Sequence, residues 1–270
     1  MSAPIRFSDS EQQAGAPFRA HTEQMVNAMN TCGCVVLENF LPRGFVDKLA
    51  NAFFERIAGW DETTLIQKGK PVGERRFMYL QPLAGPFAEP RLYANALVLP
   101  ALQALLGEHC VISTLSIVMA LPGAGAQRMH RDNALPFGED PLSGQVPPLA
   151  INLAIPLVDL NETTGATAQH LGSHRKIRPS STFGFEDAPV AYLRKGDAYL
   201  MDYRLVHAGT PNRGTLPRPI IYLIYARHWY LDAENHLDQK QNYLLVPDST
   251  LQKATPEQAH LLSRARLRQP

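Results

Sequence analysis

The sequence predicts a mainly β protein with flanking helices, its strands arranged as a jelly-roll barrel. Three observations carry this. From about residue 110 the chain turns into apolar or alternating runs, at residues 111–121, 149–160, 197–206 and 219–230, each bounded by clusters of Gly, Pro, Asn or Asp. The connections between these runs are long, as in a double-sheet roll. The first hundred residues lean helical, so helices are expected to cover one sheet face.

Residues 20–31 (AHTEQMVNAMNT) place Met25 and Met29 at helical spacing, with Gly33 as a stop. Residues 34–40 (CVVLENF) are a short β-rich run. Residues 44–58 are amphipathic, with Phe45, Leu49, Phe53 and Ile57 recurring at i, i+4 before Gly59. Residues 91–106 read helical up to Gly107, and Pro100 inside them marks a break, a kink or a fresh start. Residues 133–148 (NALPFGEDPLSGQVPP) read as a long loop, either a lid or binding loop or a plain surface excursion. A length of 270 residues, 45% hydrophobic, fits one domain. Its expected parts are a helical portion of about residues 1–107, a barrel core of about 108–232 and a C-terminal extension of about 233–270.

A formal net charge of +1 gives no global field for nucleic acid or an anionic membrane. No apolar run is long enough to span a bilayer, and the N-terminus lacks the apolar core of a secretory signal. The expectation is a cytoplasmic monomer or homodimer acting on a small molecule. Three cysteines fit a reducing compartment, and Cys32 and Cys34 lack the second pair of a metal site, so they read as ordinary thiols.

The chemistry concentrates in MHRD (His130, Arg131, Asp132), LVHAG (His207) and LPRP (Arg218). On a strand, side chains i and i+2 share a face, so His130 and Asp132 converge while Arg131 faces away. Two imidazoles and one carboxylate on one side of a metal leave other positions open, which suits non-haem Fe(II) that must also hold a co-substrate and O2. The triplet is expected at the start of a strand and His207 at the end of one. Arg218, eleven positions beyond His207 across a Gly/Pro-rich turn, is expected beside it on a hairpin. Its planar fork suits the far carboxylate of a dicarboxylic co-substrate. Each residue alone has a plain structural reading: a surface imidazole for His130, a loop cap for Asp132, a strand-end histidine for His207, a solvated charge for Arg218. The ordered combination favours the metal.

Four segments resemble the phytanoyl-CoA dioxygenase family of Fe(II)/2-oxoglutarate-dependent oxygenases. They are GCVVLENFLP (33–42), LGEHCVIS (106–113), INLAIPLVDLNETTGATAQHLGSHR (151–175) and GDAYLMDYRLVHAG (196–209). The HRDN form and modest length look closest to natural-product-tailoring members. The resemblance implies a double-stranded β-helix (cupin-like) fold, with His130, Asp132 and His207 as ligands to Fe(II). It implies Arg218 as the partner of the 2-oxoglutarate C5 carboxylate. Gln127 and Thr167 match positions that donate hydrogen bonds to the co-substrate, although turn and cap roles stay open for both. The family's usual Pro-Gly-Ser-His is Leu-Gly-Ser-His here, at residues 171–174, and His174 is expected to be structural. His170 and His228 are pocket residues at most. Halogenating members carry a small residue where Asp132 stands. The carboxylate therefore points to hydroxylation, desaturation or oxidative rearrangement, with release of succinate and CO2.

Pocket walls are expected from residues 68–80, from the loop after the triplet and from residues 228–243. Met78, Tyr79 and Phe137 would supply apolar wall, and Arg75 and Arg76 either meet an anionic group or form a solvated charge run. No phosphate-cradling Gly loop supports a CoA thioester. The alternative class is a non-oxidative metal-binding cupin, an isomerase or a ligand-binding protein.

Overall fold

A computed structural model describes residues 3–232 and 244–266. In chain order the strands are β1 (Ile5–Arg6), β2 (Cys34–Glu38), β3 (Lys70–Gly73), β4 (Arg76–Leu80), β5 (Val111–Ala120), β6 (Ala150–Pro156) and β7 (Thr167–Gln169). They continue with β8 (Val190–Ala191), β9 (Ala198–Asp202), β10 (His207–Gly209), β11 (Arg218–Ala226), β12 (Leu244–Leu245) and β13 (Ala265–Arg266). One sheet runs β1-β2-β9-β6-β11-β5-β4-β3, and a smaller one runs β10-β7-β8. Ala154, Tyr199, Met201 and Ile220 of the large sheet pack with Ala166, Ala191 and Leu193 of the opposite layer, giving the expected jelly roll.

The other face of the large sheet carries the helices. The N-terminal ones are α1 (Asp9–Ala14), α2 (Arg19–Cys32), α3 (Arg43–Ile57), α4 (Glu62–Lys68), α5 (Pro90–Tyr93) and α6 (Leu99–Leu106). In α2 the buried positions are Met25, Ala28 and Met29. In α3 they are Phe45, Val46, Leu49, Ala50 and Phe53, the stripe that 3.6-residue periodicity requires. These meet the outward positions of the strands, such as Ile117, Met119, Leu153, Ile155, Ile221 and Leu223, in one apolar cluster. Gly33 ends α2 at φ 75°. A Cβ there would lie 2.5 Å from His174 Nδ1, so glycine serves both the left-handed turn and the packing. Pro100 sits in the first turn of α6, so residues 91–106 are two helices, and the proline marks a fresh start.

Five expectations change. The first hundred residues also hold β3 and β4, a hairpin within KGKPVGERRFMYL. The run at 197–206 is not one strand. β9 stops at Asp202, whose carboxylate accepts the Arg204 N–H at 2.9 Å and turns the chain into the other sheet. His207 therefore opens a strand, and the HRD triplet precedes none, since His130 meets His207 only as an isolated antiparallel bridge. Arg218 lies in the large sheet and His207 in the small one, so their link crosses between layers and is no hairpin. Among the described residues no helix is long and apolar enough to cross a membrane.

Candidate metal centre and co-substrate pocket

His130 and His207 face each other as a hydrogen-bonded pair. The His130 N–H donates to His207 O at 3.0 Å, and the His207 N–H donates to His130 O at 2.9 Å. That pairing sends both side chains to one side, with ring centroids 4.4 Å apart. Each Nδ1 faces a carbonyl two residues back, Arg128 O at 2.9 Å and Leu205 O at 3.0 Å. A carbonyl only accepts, so the proton sits on Nδ1 and each Nε2 turns a lone pair inward. Asp132 Oδ1 lies 4.0 Å from His130 Nε2 and 3.5 Å from His207 Nε2. All three donor atoms fall within 4.8 Å of one another. Burial pushes the His207 pKa down, against the pull of Asp132, and this favours the neutral imidazole a metal requires. The donor set and its preset tautomers fit a divalent transition metal with an open face.

The other groups of the triplet hold it in place. Asp132 Oδ2 accepts from Asn152 Nδ2. Arg131 donates to Arg204 O at 3.0 Å and Lys176 O at 2.9 Å. Arg204 makes a buried bidentate pair with Asp202, at 3.0 and 2.8 Å. Its remaining nitrogen binds Ser143 O at 3.2 Å and Val146 O at 2.9 Å, which moors the far end of the 133–148 loop.

The second feature is a pair of arginines. Arg76 and Arg218 flank Ala120 on neighbouring strands, so both face the barrel interior. They are 3% and 2% exposed, although arginine is almost never buried unpaired. Among the described residues neither has a carboxylate within ion-pair distance. Arg218 Nη1 donates to Thr164 O at 3.0 Å and Thr210 O at 3.1 Å. Arg76 Nη2 donates to Gly125 O at 3.1 Å and to the same Thr210 O at 3.2 Å. Burial, then the charge of Arg218, lowers the Arg76 pKa to about 10. Two uncompensated buried cations sharing one carbonyl are costly to bury, and an anion placed between them would offset that cost. The backbone is shaped around them. A Cβ at Gly165 would stand 2.3 Å from Arg218 Nη1, and one at Gly209 would stand 2.0 Å from Arg76 Nη1. Gln127 Oε1 accepts the Gly209 N–H at 2.9 Å, and Gln127 Nε2 donates to Val72 O at 2.6 Å. Thr167 Oγ1 lies 3.0 Å from Tyr199 Oη.

The triad and the arginines line one cavity of about 670 Å³, which Gln127, Thr167 and Met78 also reach. Three expected wall residues are elsewhere. Tyr79 neighbours Met78 on β4 and so takes the opposite face. It is 1% exposed in the helix-side core and donates to Leu65 O at 3.1 Å. Phe137 is 51% exposed on the outer loop. His228 lies past the end of β11, its ring against His109. Arg75 turns outward to Glu62, at 2.8 Å. His174, buried with Nε2 3.3 Å from Asn30 O, is structural as expected. Cys34 is a buried thiol on Gln169, and burial pushes its pKa up to about 12.

Sequence reasoning missed Asn152, Tyr203 and Asp232, which line the same cavity. Asp232, 4% exposed, accepts from Asn133 Nδ2 at 2.9 Å and from Tyr203 Oη at 2.8 Å. It falls within the stretch expected to supply wall, but residues 233–243 of that stretch lie outside the described residues. A single asparagine in an otherwise apolar strand was the signal available for Asn152.

Residues 29–220 match the family model for phytanoyl-CoA dioxygenase (PhyH). The chain belongs to that family. It is 24% identical over 247 residues to the dioxygenase olcK of Penicillium canescens, spanning 88% of this chain and 78% of that one. It is 26% identical over 257 residues to the dioxygenase cnsJ of Penicillium expansum, spanning 83% and 71%. Among solved structures, the non-haem α-ketoglutarate-dependent epimerase SnoN from nogalamycin biosynthesis aligns with a TM-score of 0.58 at 20% identity, over 77% of this chain and 83% of that one. HygX from Streptomyces hygroscopicus, with nickel and 2-oxoglutarate bound, aligns with a TM-score of 0.60 at 16% identity, over 77% and 88%. These likenesses agree with the double-stranded β-helix. As a member of the family, the chain is an Fe(II)- and 2-oxoglutarate-dependent dioxygenase, and the non-oxidative cupin is not favoured.

Proposed function

We propose that His130, Asp132 and His207 hold the iron, that Arg218 and Arg76 together receive the far carboxylate of 2-oxoglutarate, and that the rest of the cavity positions a natural product for oxidation. The observation that carries this reading is the placement of a three-donor cluster and two uncompensated buried guanidiniums in a single cavity. When bound, iron with 2-oxoglutarate and O2 supplies an oxidant able to take hydrogen from carbon, with succinate and CO2 as by-products.

The chain's own residues bind, orient and exclude. The two histidines present fixed lone pairs, and Asp132 adds a negative charge that offsets the metal's. Arg218 and Arg76 offer their guanidinium N–H groups to the co-substrate, and Gly165 and Gly209 respectively leave each of them room to press against backbone. Gln127 and Thr167 bound the same end and hydrogen-bond to the co-substrate. Met78, Val118 and Ile220 form the dry stretch next to the arginines, which keeps water away from the reacting carbon.

A cavity of about 670 Å³ suits a substrate of drug-like size. HygX has also been solved with hygromycin B, and SnoN with a nogalamycin compound. We therefore take the substrate to be a natural product of comparable size, hydroxylated, desaturated or rearranged here. The three free thiols agree with a reducing, cytoplasmic setting, in which the enzyme works as a monomer or homodimer. The test is a succinate-release screen over a natural-product library, with mass spectrometry of the products. A substrate that stimulates succinate release and gains oxygen or loses two hydrogens supports the reading. Product formation without 2-oxoglutarate consumption contradicts it.

A further inference from the structure

β6 runs Ala-Ile-Asn-Leu-Ala-Ile-Pro and is buried along its whole length. Asn152 is the one polar side chain in it, 1% exposed, in the middle of the large sheet opposite Ile224 and Met201. Its amide orientation is fixed by chemistry: the group facing Asp132 Oδ2 must be the NH2, because a carboxylate oxygen cannot donate to an amide oxygen. Its Oδ1 then points into protein, sealed from solvent and without a hydrogen-bond partner among the described residues. A buried acceptor left unmade costs stability, and a leucine of similar volume would not carry that cost. The fold therefore tolerates a penalty here, and the Asp132 contact is what it obtains in return.

We infer that Asn152 is a positioning residue for the metal centre. Its amide holds Asp132 Oδ2 back, so that the carboxylate offers Oδ1 alone to the ion and leaves the remaining positions to co-substrate and O2. This rests on the reading of His130, Asp132 and His207 as the metal ligands. Outer-sphere partners of this kind orient a ligand and tune its basicity. The contact also explains how an irregular segment outside any strand can present Asp132 reproducibly: a rigid central strand fixes the far side of its carboxylate.

The test compares the metal-free stability and Co(II) affinity of the full-length protein with those of Asn152→Leu, Asn152→Ala and His207→Ala. For Asn152→Leu, a metal-free melting temperature at or above the parent's is expected, because the orphaned acceptor is gone and partly exposed Asp132 can take a water in its place. Co(II) affinity should fall about 10- to 100-fold, with a changed visible ligand-field spectrum as the carboxylate rearranges. Asn152→Ala should lose affinity similarly. Parental affinity and an unchanged Co(II) spectrum in both Asn152 variants would overturn the inference. So would metal-free unfolding of both, which would make Asn152 a structural residue. If His207→Ala also keeps parental Co(II) affinity, the ligand assignment itself fails, and that outcome is separate from failure of the Asn152 role alone.

Discussion

Replacing Arg218 with methionine removes the guanidinium and keeps most of the buried stem. Hydrogen bonds to charged partners contribute roughly 1.5–3 kcal/mol. At about 1.4 kcal/mol per tenfold, loss of the Arg218 fork should weaken 2-oxoglutarate binding on the order of 10- to 150-fold. Arg76→Met should weaken it by a similar or smaller factor. The two effects should not add, because Arg76 and Arg218 share the Thr210 carbonyl and repel each other until an anion arrives. Removing either one relieves the other in the empty site, so the double variant should lose less than the product of the two single losses. The assay is calorimetric titration of 2-oxoglutarate into the metal-loaded protein under anaerobic conditions, with metal affinity measured separately. Metal affinity should stay within about threefold of the parent's in all three variants. A co-substrate affinity unchanged by either single substitution would refute the anion receptor and send the search to another cation.

Other consequences follow from the same geometry. Burial lowers Arg76 to about 10, so 2-oxoglutarate affinity should be flat through neutral pH and weaken as pH rises through that value, as read by the titration repeated across pH. Gly209→Ala puts a methyl 2.0 Å from Arg76 Nη1, and should weaken 2-oxoglutarate binding while leaving metal binding near parental. Tyr79→Phe should lower stability by about 1 kcal/mol in a denaturant melt through loss of its bond to Leu65, with turnover unchanged, whereas Met78→Trp should alter substrate turnover. Burial opposes ionisation of Glu11, but hydrogen bonds from Ser8, Phe18 and His21 outweigh it and hold the carboxyl at about 2, below its ordinary 4.5. The stability Glu11 contributes is thus present above about pH 4.5 and lost as pH falls through about 2. Glu11→Gln should flatten that part of the melting-temperature profile.

Helices α2, α3 and α6 and the long strands were legible because their residues repeat at 3.6 or form continuous or alternating apolar runs: α3 and β5 follow their apolar patterns to within a residue or two. The clustering of three metal-competent side chains was legible for a different reason. His130, Asp132 and His207 are polar residues at positions that packing does not explain, and the structure brings all three together. The short strands were not legible, since two or three residues carry no period, and β10 was hidden inside an apolar run that the Asp202 turn divides. Tyr79 shows an error that strand parity alone would have caught, because adjacent residues of β4 cannot both face the cavity. The pairing of Arg76 with Arg218 could not be read at all. It depends on β4 and β11 lying on either side of β5, a long-range arrangement that no local pattern encodes.

The central claim is that one ferrous ion and one 2-oxoglutarate meet at these residues, and anaerobic absorption spectroscopy tests it most directly. Adding Fe(II) and then 2-oxoglutarate should produce the weak visible charge-transfer band of a chelated ferrous complex. The band should be absent in Asp132→Ala and His207→Ala, and shifted to far higher 2-oxoglutarate concentration in Arg218→Met. No band in the parent protein, together with tight retention of zinc, would contradict the account.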